Sequence, residues 1–122
     1  MNYEIKITEH KHPVPYVVFE DEKFDLLGEF LLTERSFRRE ILSLTNEVDL
    51  GSSESESFSG NAFTLEINKE TCKITNDSDD RELEVAAKAF KAILLDYIYA
   101  LRGIKVKEKM ASLKHNHEDH RH

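Results

Sequence analysis

The sequence predicts an α+β fold in which one antiparallel sheet of about five to seven strands packs against two helices. Several short segments alternate apolar and polar residues, which is the pattern of half-buried strands. Two longer segments repeat their apolar residues every three or four positions, which is the pattern of amphipathic helices. The chain has 122 residues, 39% of them hydrophobic, and this length fits one domain with a single core.

The N-terminal segment predicts two strands and a third extended stretch. Residues 3–8 alternate, and residues 16–19 form a short apolar run. Pro13 and Pro15 separate these strands because proline has no backbone N–H with which to continue a ladder. After a charged turn, we expect residues 29–32 to be extended.

Residues 34–48 predict the first helix. Thr33 is a suitable N-cap, and Glu34 would lie in the first turn, where the helix dipole favours an acidic side chain. The apolar residues of this segment form one stripe: Phe37, Ile41, Leu44 and Val48. Gly51 and a serine- and glutamate-rich loop follow.

Residues 56–85 carry the clearest strand signals. A strand around residues 56–58 and the turn-forming pair Gly60-Asn61 precede a hairpin of residues 62–67 and 71–75. Residues 83–85 add one more short strand.

Residues 86–102 predict the second helix, which we expect to end at Gly103. Its apolar stripe consists of Phe90, Ile93, Leu94, Tyr97, Ile98 and Leu101. Residues 104–122 are basic and then rich in histidine. The chain is therefore expected to form a single α+β domain over residues 1–103, followed by a tail over residues 104–122.

The charge is unevenly distributed. The formal net charge is −7, and residues 102–122 carry +3, so residues 1–101 carry −10. Such an acidic body disfavours direct binding of nucleic acid and attracts a basic partner, although solubility alone also explains an acidic surface. Because the chain has no long apolar run, no apolar leader and a single cysteine, we expect no membrane association and a cytoplasmic location.

Three clusters of carboxylates in predicted loops are candidate partner-binding sites, since side chains in loops can reach a partner. The clusters are Glu20, Asp21 and Glu22; then Asp49, Glu54 and Glu56; and last Asp77, Asp79 and Asp80. The loop of residues 49–57 is the first choice because it is the longest acidic stretch without a cation. Tyr99 is a further candidate, because it lies off the apolar stripe of its helix and exposed tyrosines often anchor interfaces.

The sequence predicts no catalytic residue, no cofactor and no metal site. Cys72 lies on the inward side of its strand without a nearby histidine, so we interpret it as a core residue. The aspartates of residues 77–80 lack the glycine and the terminal glutamate of a calcium loop, because Lys88 stands at the twelfth position. The terminal histidines support one alternative, a small metal-binding or metal-responsive protein: His10, His12, His115, His117, His120 and His122. A second alternative is an α+β hydrolase-type enzyme whose site the sequence does not reveal.

One pattern over residues 28–101 resembles a known family. It consists of the segment 28–34 before a helix, the segment Ser59-Gly60-Asn61 before the strand 62–67, the strand 72–76, and residues 82–85 before a helix that contains Asp96-Tyr97-Ile98. This order is similar to that of small bacterial immunity proteins that accompany polymorphic toxins, including those of contact-dependent growth inhibition systems.

The resemblance implies a cytoplasmic antitoxin that binds and neutralises a cognate toxin domain without catalysis. Many such toxins are nucleases with basic substrate grooves. An acidic inhibitor can occupy a basic groove in the place of a nucleic-acid phosphate backbone.

Overall fold

The computed structural model describes residues 1–119, with side chains up to residue 111 and at residue 113. Within this part the chain contains three α-helices: α1 (Asp25–Thr33), α2 (Arg38–Asp49) and α3 (Ala87–Asp119). It also contains six strands: β1 (Tyr3–Ile7), β2 (Pro15–Phe19), β3 (Ser55–Ser59), β4 (Phe63–Asn68), β5 (Thr71–Asn76) and β6 (Glu82–Ala86). The α+β class is confirmed, and the six strands fall within the predicted five to seven. The strands form two antiparallel sheets rather than one, and the helices number three rather than two.

The first sheet is the hairpin of β1 and β2, which pairs Tyr3 with Phe19 at its open end. Two tyrosine hydroxyls attach this hairpin to α3. Tyr3 donates to the carboxylate of Asp96, and the buried Tyr97 donates to the backbone carbonyl of Pro15 at 2.8 Å. Because β2 also packs against α1, with Gly28 against Phe19, the hairpin is held mainly by two helices.

The second sheet has the order β3-β4-β5-β6, in which each strand pairs with the next along the chain. Alternate residues of these strands face the helices and are buried: Phe58, Phe63, Leu65, Ile67, Cys72, Ile74 and Val85. Phe30 of α1 lies between this sheet and α3, since its ring centre is 5.8 Å from that of Phe63 and 6.1 Å from that of Phe90. The sheet and the inner sides of the three helices thus share one core.

The extended stretch predicted for residues 29–32 is wrong, because these residues belong to α1. The buried residues of α1 fall on one side of a helix: Leu26, Leu27, Phe30 and Leu31. Because α1 ends at Thr33, this residue does not cap the next helix, and a short 3-10 helix, Arg35–Phe37, leads into α2. The rest of the predicted first helix is confirmed, and it ends beside Gly51, which has a φ of 81°.

The predicted helix end at Gly103 is also wrong, because α3 continues to Asp119. A glycine inside a helix costs about 1 kcal/mol relative to alanine, and the lysine, glutamate, methionine, alanine and leucine residues that follow favour a helix. The helix crosses the predicted boundary between residues 1–103 and 104–122, and Ile104, just beyond that boundary, is buried.

Candidate functional site

A buried carboxylate organises the turn before β4. Glu34 follows the last residue of α1 and is only 1% exposed. Its carboxylate oxygens accept three backbone hydrogen bonds, from the N–H groups of Asn61 (2.7 Å), Ala62 (3.1 Å) and Phe63 (3.1 Å). Bonds from N–H groups to a carboxylate are stronger than bonds between neutral groups. Glu34 therefore ties the end of α1 to the start of β4, instead of lying in the first turn of a helix.

The position of Glu34 explains why residue 60 is a glycine. A Cβ atom at position 60 would overlap the carboxylate of Glu34. Gly51, not Gly60, is the glycine with a positive φ, so the close approach is what requires glycine here. The Ser-Gly-Asn segment thus has a structural role, because it leaves room for the Glu34 carboxylate and donates a backbone hydrogen bond to it.

The first acidic cluster lies directly after β2. Glu20 accepts a hydrogen bond from the side-chain amide of Asn2 at 2.8 Å. Asp21 caps a 3-10 helix, Glu22–Phe24, by accepting the backbone N–H of Lys23 at 3.0 Å. All three carboxylates of this cluster are exposed. They are therefore available to a partner.

The cluster of Asp77, Asp79 and Asp80 lies in the turn between β5 and β6, beside Arg81. The guanidinium of Arg81 is 2.7 Å from Asp79 and 3.0 Å from Glu29 of α1. The backbone N–H of Arg81 and this guanidinium hold the pKa of Asp79 below its usual range. Arg81 is thus already neutralised by two carboxylates.

An acidic groove of about 730 Å³ lies between β2 and α1, and we call it the α1 groove. Its apolar wall contains Tyr16, Val17, Val18 and Leu32. Its charged residues are Glu20, Glu22, Asp25, Glu29 and Arg81, with a formal net charge of −3. Asp21, Glu22, Arg81 and Glu82 also line one adjoining hollow. The fold therefore brings the residue 20–22 cluster next to the turn that follows β5.

The remaining acidic cluster lies elsewhere. Glu56 is on β3, at the opposite edge of the four-stranded sheet from β6. Asp49, at the end of α2, forms an ion pair of 2.6 Å with Lys91 of α3, which lowers the pKa of Asp49. The acidic stretch that has no cation in the sequence therefore receives one from a residue 42 positions away. Glu54 is exposed, and Glu56 accepts a hydrogen bond from Ser53.

Tyr99 lies on an outward apolar face of α3, as expected, with 72% of its surface exposed. Tyr97, two residues earlier, is buried in the core, and burial raises its pKa to about 12. The same outward side carries four further large apolar residues, all exposed: Leu95, Val106, Met110 and Leu113. The sequence reasoning missed this face because it ended the helix at Gly103, although spacings of three, four and seven continue beyond it.

Cys72 is buried in β5, as predicted, and burial raises the pKa of its thiol to about 12. His10 and His12 are exposed in the loop between β1 and β2. The other histidine side chains, at positions 115, 117, 120 and 122, lie outside the described side chains. Among the residues that the structure describes, no three histidine, cysteine or acidic side chains gather as a metal site would require.

Comparisons with protein-family models, curated proteins and solved structures found no match to this chain. Over residues 1–119, none of the helices combines the length and the apolar character needed to cross a bilayer.

Proposed function

We propose that this protein is a cytoplasmic immunity protein that binds and neutralises a cognate toxin domain, with binding rather than catalysis as its activity. The partner that fits best is a basic domain such as a nuclease, whose substrate groove attracts phosphate groups. The acidic body of the chain, with −10 over its first 101 residues, supports a basic protein partner over nucleic acid.

The observation that carries this proposal is the α1 groove. Glu20, Glu22 and Asp25 are exposed around it, and its one cation, Arg81, is already paired. These carboxylates lie on regular elements or directly beside them, so little backbone freedom would be lost on binding. A concave surface of one charge also concentrates the field that draws an oppositely charged partner.

The geometry favours the α1 groove over the loop of residues 49–57, although the sequence favours that loop. Lys91 neutralises Asp49, and the surface around this pair also contains Lys69 and Lys88. A basic partner that approaches Asp49 therefore meets three lysines. The acidic excess of the 49–57 loop is smaller in the folded protein than its sequence indicates.

The test uses the toxin domain that this proposal expects to be encoded beside the gene for this chain. Expression of that domain in a bacterial host should stop growth, and co-expression of this chain should restore it. The purified chain and toxin domain should form a complex whose association slows as salt increases, because salt screens exposed charges. If growth is not restored and no complex forms, the proposed function is wrong.

A matched pair of double variants locates the surface. Replacing Glu20 and Glu22 by glutamine should lower the association rate several-fold at low salt, with a smaller effect on dissociation. The control replaces Glu54 and Glu56 by glutamine, which changes the charge equally at the far edge of the sheet. If the control slows association more than the groove variant, the 49–57 loop is the binding surface.

A further inference from the structure

The helix α3 has two apolar faces, of which the core uses one. Its inner face is buried: Phe90, Ile93, Leu94, Tyr97, Ile98 and Ile104. Its outer face is between 39% and 72% exposed: Leu95, Tyr99, Val106, Met110 and Leu113. At 3.6 residues per turn, the five outer residues fall within about 60° of one another around the helix axis. We call them the outer stripe.

Basic residues flank the outer stripe. Residues 102–113 contain four Lys or Arg against Glu108, a formal charge of +3. Arg102 and Lys109 lie beside the stripe by helical spacing, whereas Glu108 lies on the opposite side of the helix. The stripe runs over 19 residues, from Leu95 to Leu113, which are about 27 Å apart along the helix. An exposed apolar surface of this length, bordered by one sign of charge, is typical of an interaction site.

The α1 groove is complementary to this helix face in both charge and polarity. The groove carries a formal −3, against +3 on residues 102–113. The groove's apolar wall, with Val18 41% exposed, offers a surface for the apolar stripe. Gly28 of α1 packs against β2, where an added Cβ atom would lie 3.3 Å from the ring of Phe19, so α1 and β2 form a closely packed wall. An amphipathic helix laid in an apolar groove is a recurring mode of protein recognition.

A chain cannot place its own outer stripe in its own groove. α3 is continuous from Ala87 to Asp119, and residues 105–111 are exposed, so the end of the helix leads away from the body. Folding it back would require a break in the helix. The complementary groove must therefore belong to another molecule.

We propose that the outer stripe of α3 docks in the α1 groove of a second copy of this chain, and that two copies do so reciprocally. The result is a two-fold symmetric dimer with two identical helix-in-groove contacts. Pairing of two outer stripes with each other would bring +3 against +3. An anionic membrane would attract the helix but repel a body that carries −10. The dimer uses the groove that the proposed function assigns to the toxin, so a toxin domain would compete with the second copy for it. The dimer proposal does not rest on the proposed function, because measurements on the chain alone test it.

The first test measures the mass of the full chain by sedimentation over a concentration series at low and high salt. We expect a monomer–dimer equilibrium that salt weakens. Replacing Val106 and Met110 by glutamine should weaken the dimer at least about tenfold, because the stripe loses apolar contacts. The control replaces Lys105 and Glu108 by glutamine, which leaves the formal net charge and the stripe unchanged, so the dimer should persist.

The second test exchanges the charges of the two surfaces. One variant carries Glu20→Arg with Glu22→Arg, and the other carries Arg102→Glu with Lys109→Glu. Each variant alone places like charges at both contacts and should be monomeric. A mixture of the two restores opposite charges at both contacts, so a heterodimer should form, which also shows that both variants are folded.

Three outcomes would overturn the proposal. The wild-type chain could remain monomeric at every concentration. The Glu20→Arg, Glu22→Arg variant could still dimerise alone, which would mean that the stripes pair with each other. A monomeric chain could instead bind phosphatidylglycerol vesicles through Val106 and Met110, but not phosphatidylcholine vesicles, which would assign the stripe to an anionic membrane.

Discussion

The carboxylate of Glu34 and the carboxylates of the α1 groove are the same chemical group in opposite settings. Glu34 is buried and accepts three backbone N–H groups, whereas Glu20 and Glu22 are exposed. A buried acceptor with several donors contributes to stability, because its removal leaves those donors without a partner. An exposed carboxylate contributes little to stability but acts at long range on a partner. The surroundings of each carboxylate, and not its residue type, decide whether it stabilises the fold or attracts a partner.

Removing Glu34 should have the largest effect. We expect Glu34→Ala to lower the free energy of unfolding by about 3–5 kcal/mol, because three N–H groups lose their acceptor and a cavity is left. Glu34→Gln should cost less, since its amide oxygen still accepts. Urea denaturation measures both, with Glu40→Ala, on the exposed side of α2, as the control. A loss below about 1 kcal/mol for Glu34→Ala would contradict this assignment.

Gly60→Ala should cause the next largest loss of stability. The added Cβ atom overlaps the Glu34 carboxylate, so the turn or the side chain must move, at a cost of about 2 kcal/mol. Gly103 provides an opposite control, because a Cβ atom there meets nothing within 4 Å. Gly103→Ala should stabilise the protein by up to about 1 kcal/mol, since alanine favours a helix. If the melting temperature shifts in the same direction for Gly60→Ala and Gly103→Ala, the close approach of residue 60 to the Glu34 carboxylate is contradicted.

Neutralising the groove should leave stability nearly unchanged. We expect Glu20→Gln with Glu22→Gln to change the free energy of unfolding by less than about 0.5 kcal/mol, because both groups are exposed. The same denaturation series measures this value beside Glu34→Ala. A loss as large as that of Gly60→Ala would show that the groove carboxylates support the fold.

Breaking the ion pair of Asp49 and Lys91 should have the smallest effect on stability. The pKa of Asp49 is lowered in the folded state, so the pair stabilises the protein at neutral pH, and this contribution is lost as pH falls through the lowered pKa. Lys91→Met should raise the pKa of Asp49 toward its ordinary value. Carboxyl NMR titration of both proteins measures the shift, and identical midpoints would contradict the pairing.

The strands were predictable because their signal is local. The alternation in residues 62–67 and 71–75 decides which side chains face the core, and the structure buries Leu65, Ile67 and Ile74 accordingly. Residues 24–32 form a short, mostly apolar segment interrupted by Asp25, Gly28 and Glu29, and so short a segment does not separate a helix from a strand by its periodicity. That ambiguity led to the error over α1.

The site could be predicted only in part, because its geometry depends on distant residues. The exposure of Glu20 followed from its place in a predicted loop. The exposure of Tyr99 followed from its place off the apolar stripe of its helix. The sequence did not indicate that Arg81 would reach Glu29, or that Lys91 would neutralise Asp49, since these pairs are 52 and 42 residues apart. The role of Glu34 was hidden for the same reason, because its first partner is 27 residues away.

The strand order of the second sheet has a consequence for aggregation. β3 and β6 are its edges, and the unpaired backbone of an edge strand can recruit strands from other molecules. Glu54 and Glu56 lie at one edge and Glu82 and Glu84 at the other, and neither strand contains a lysine or arginine. When two β3 edges approach each other, Glu54 and Glu56 of one copy face those of the other and repel. At the β6 edge, Lys73 of β5 lies 3.8 Å from Glu82 and offsets part of its charge. The acidic residues at the β3 edge thus oppose growth of the sheet from one molecule into the next more strongly than those at the β6 edge.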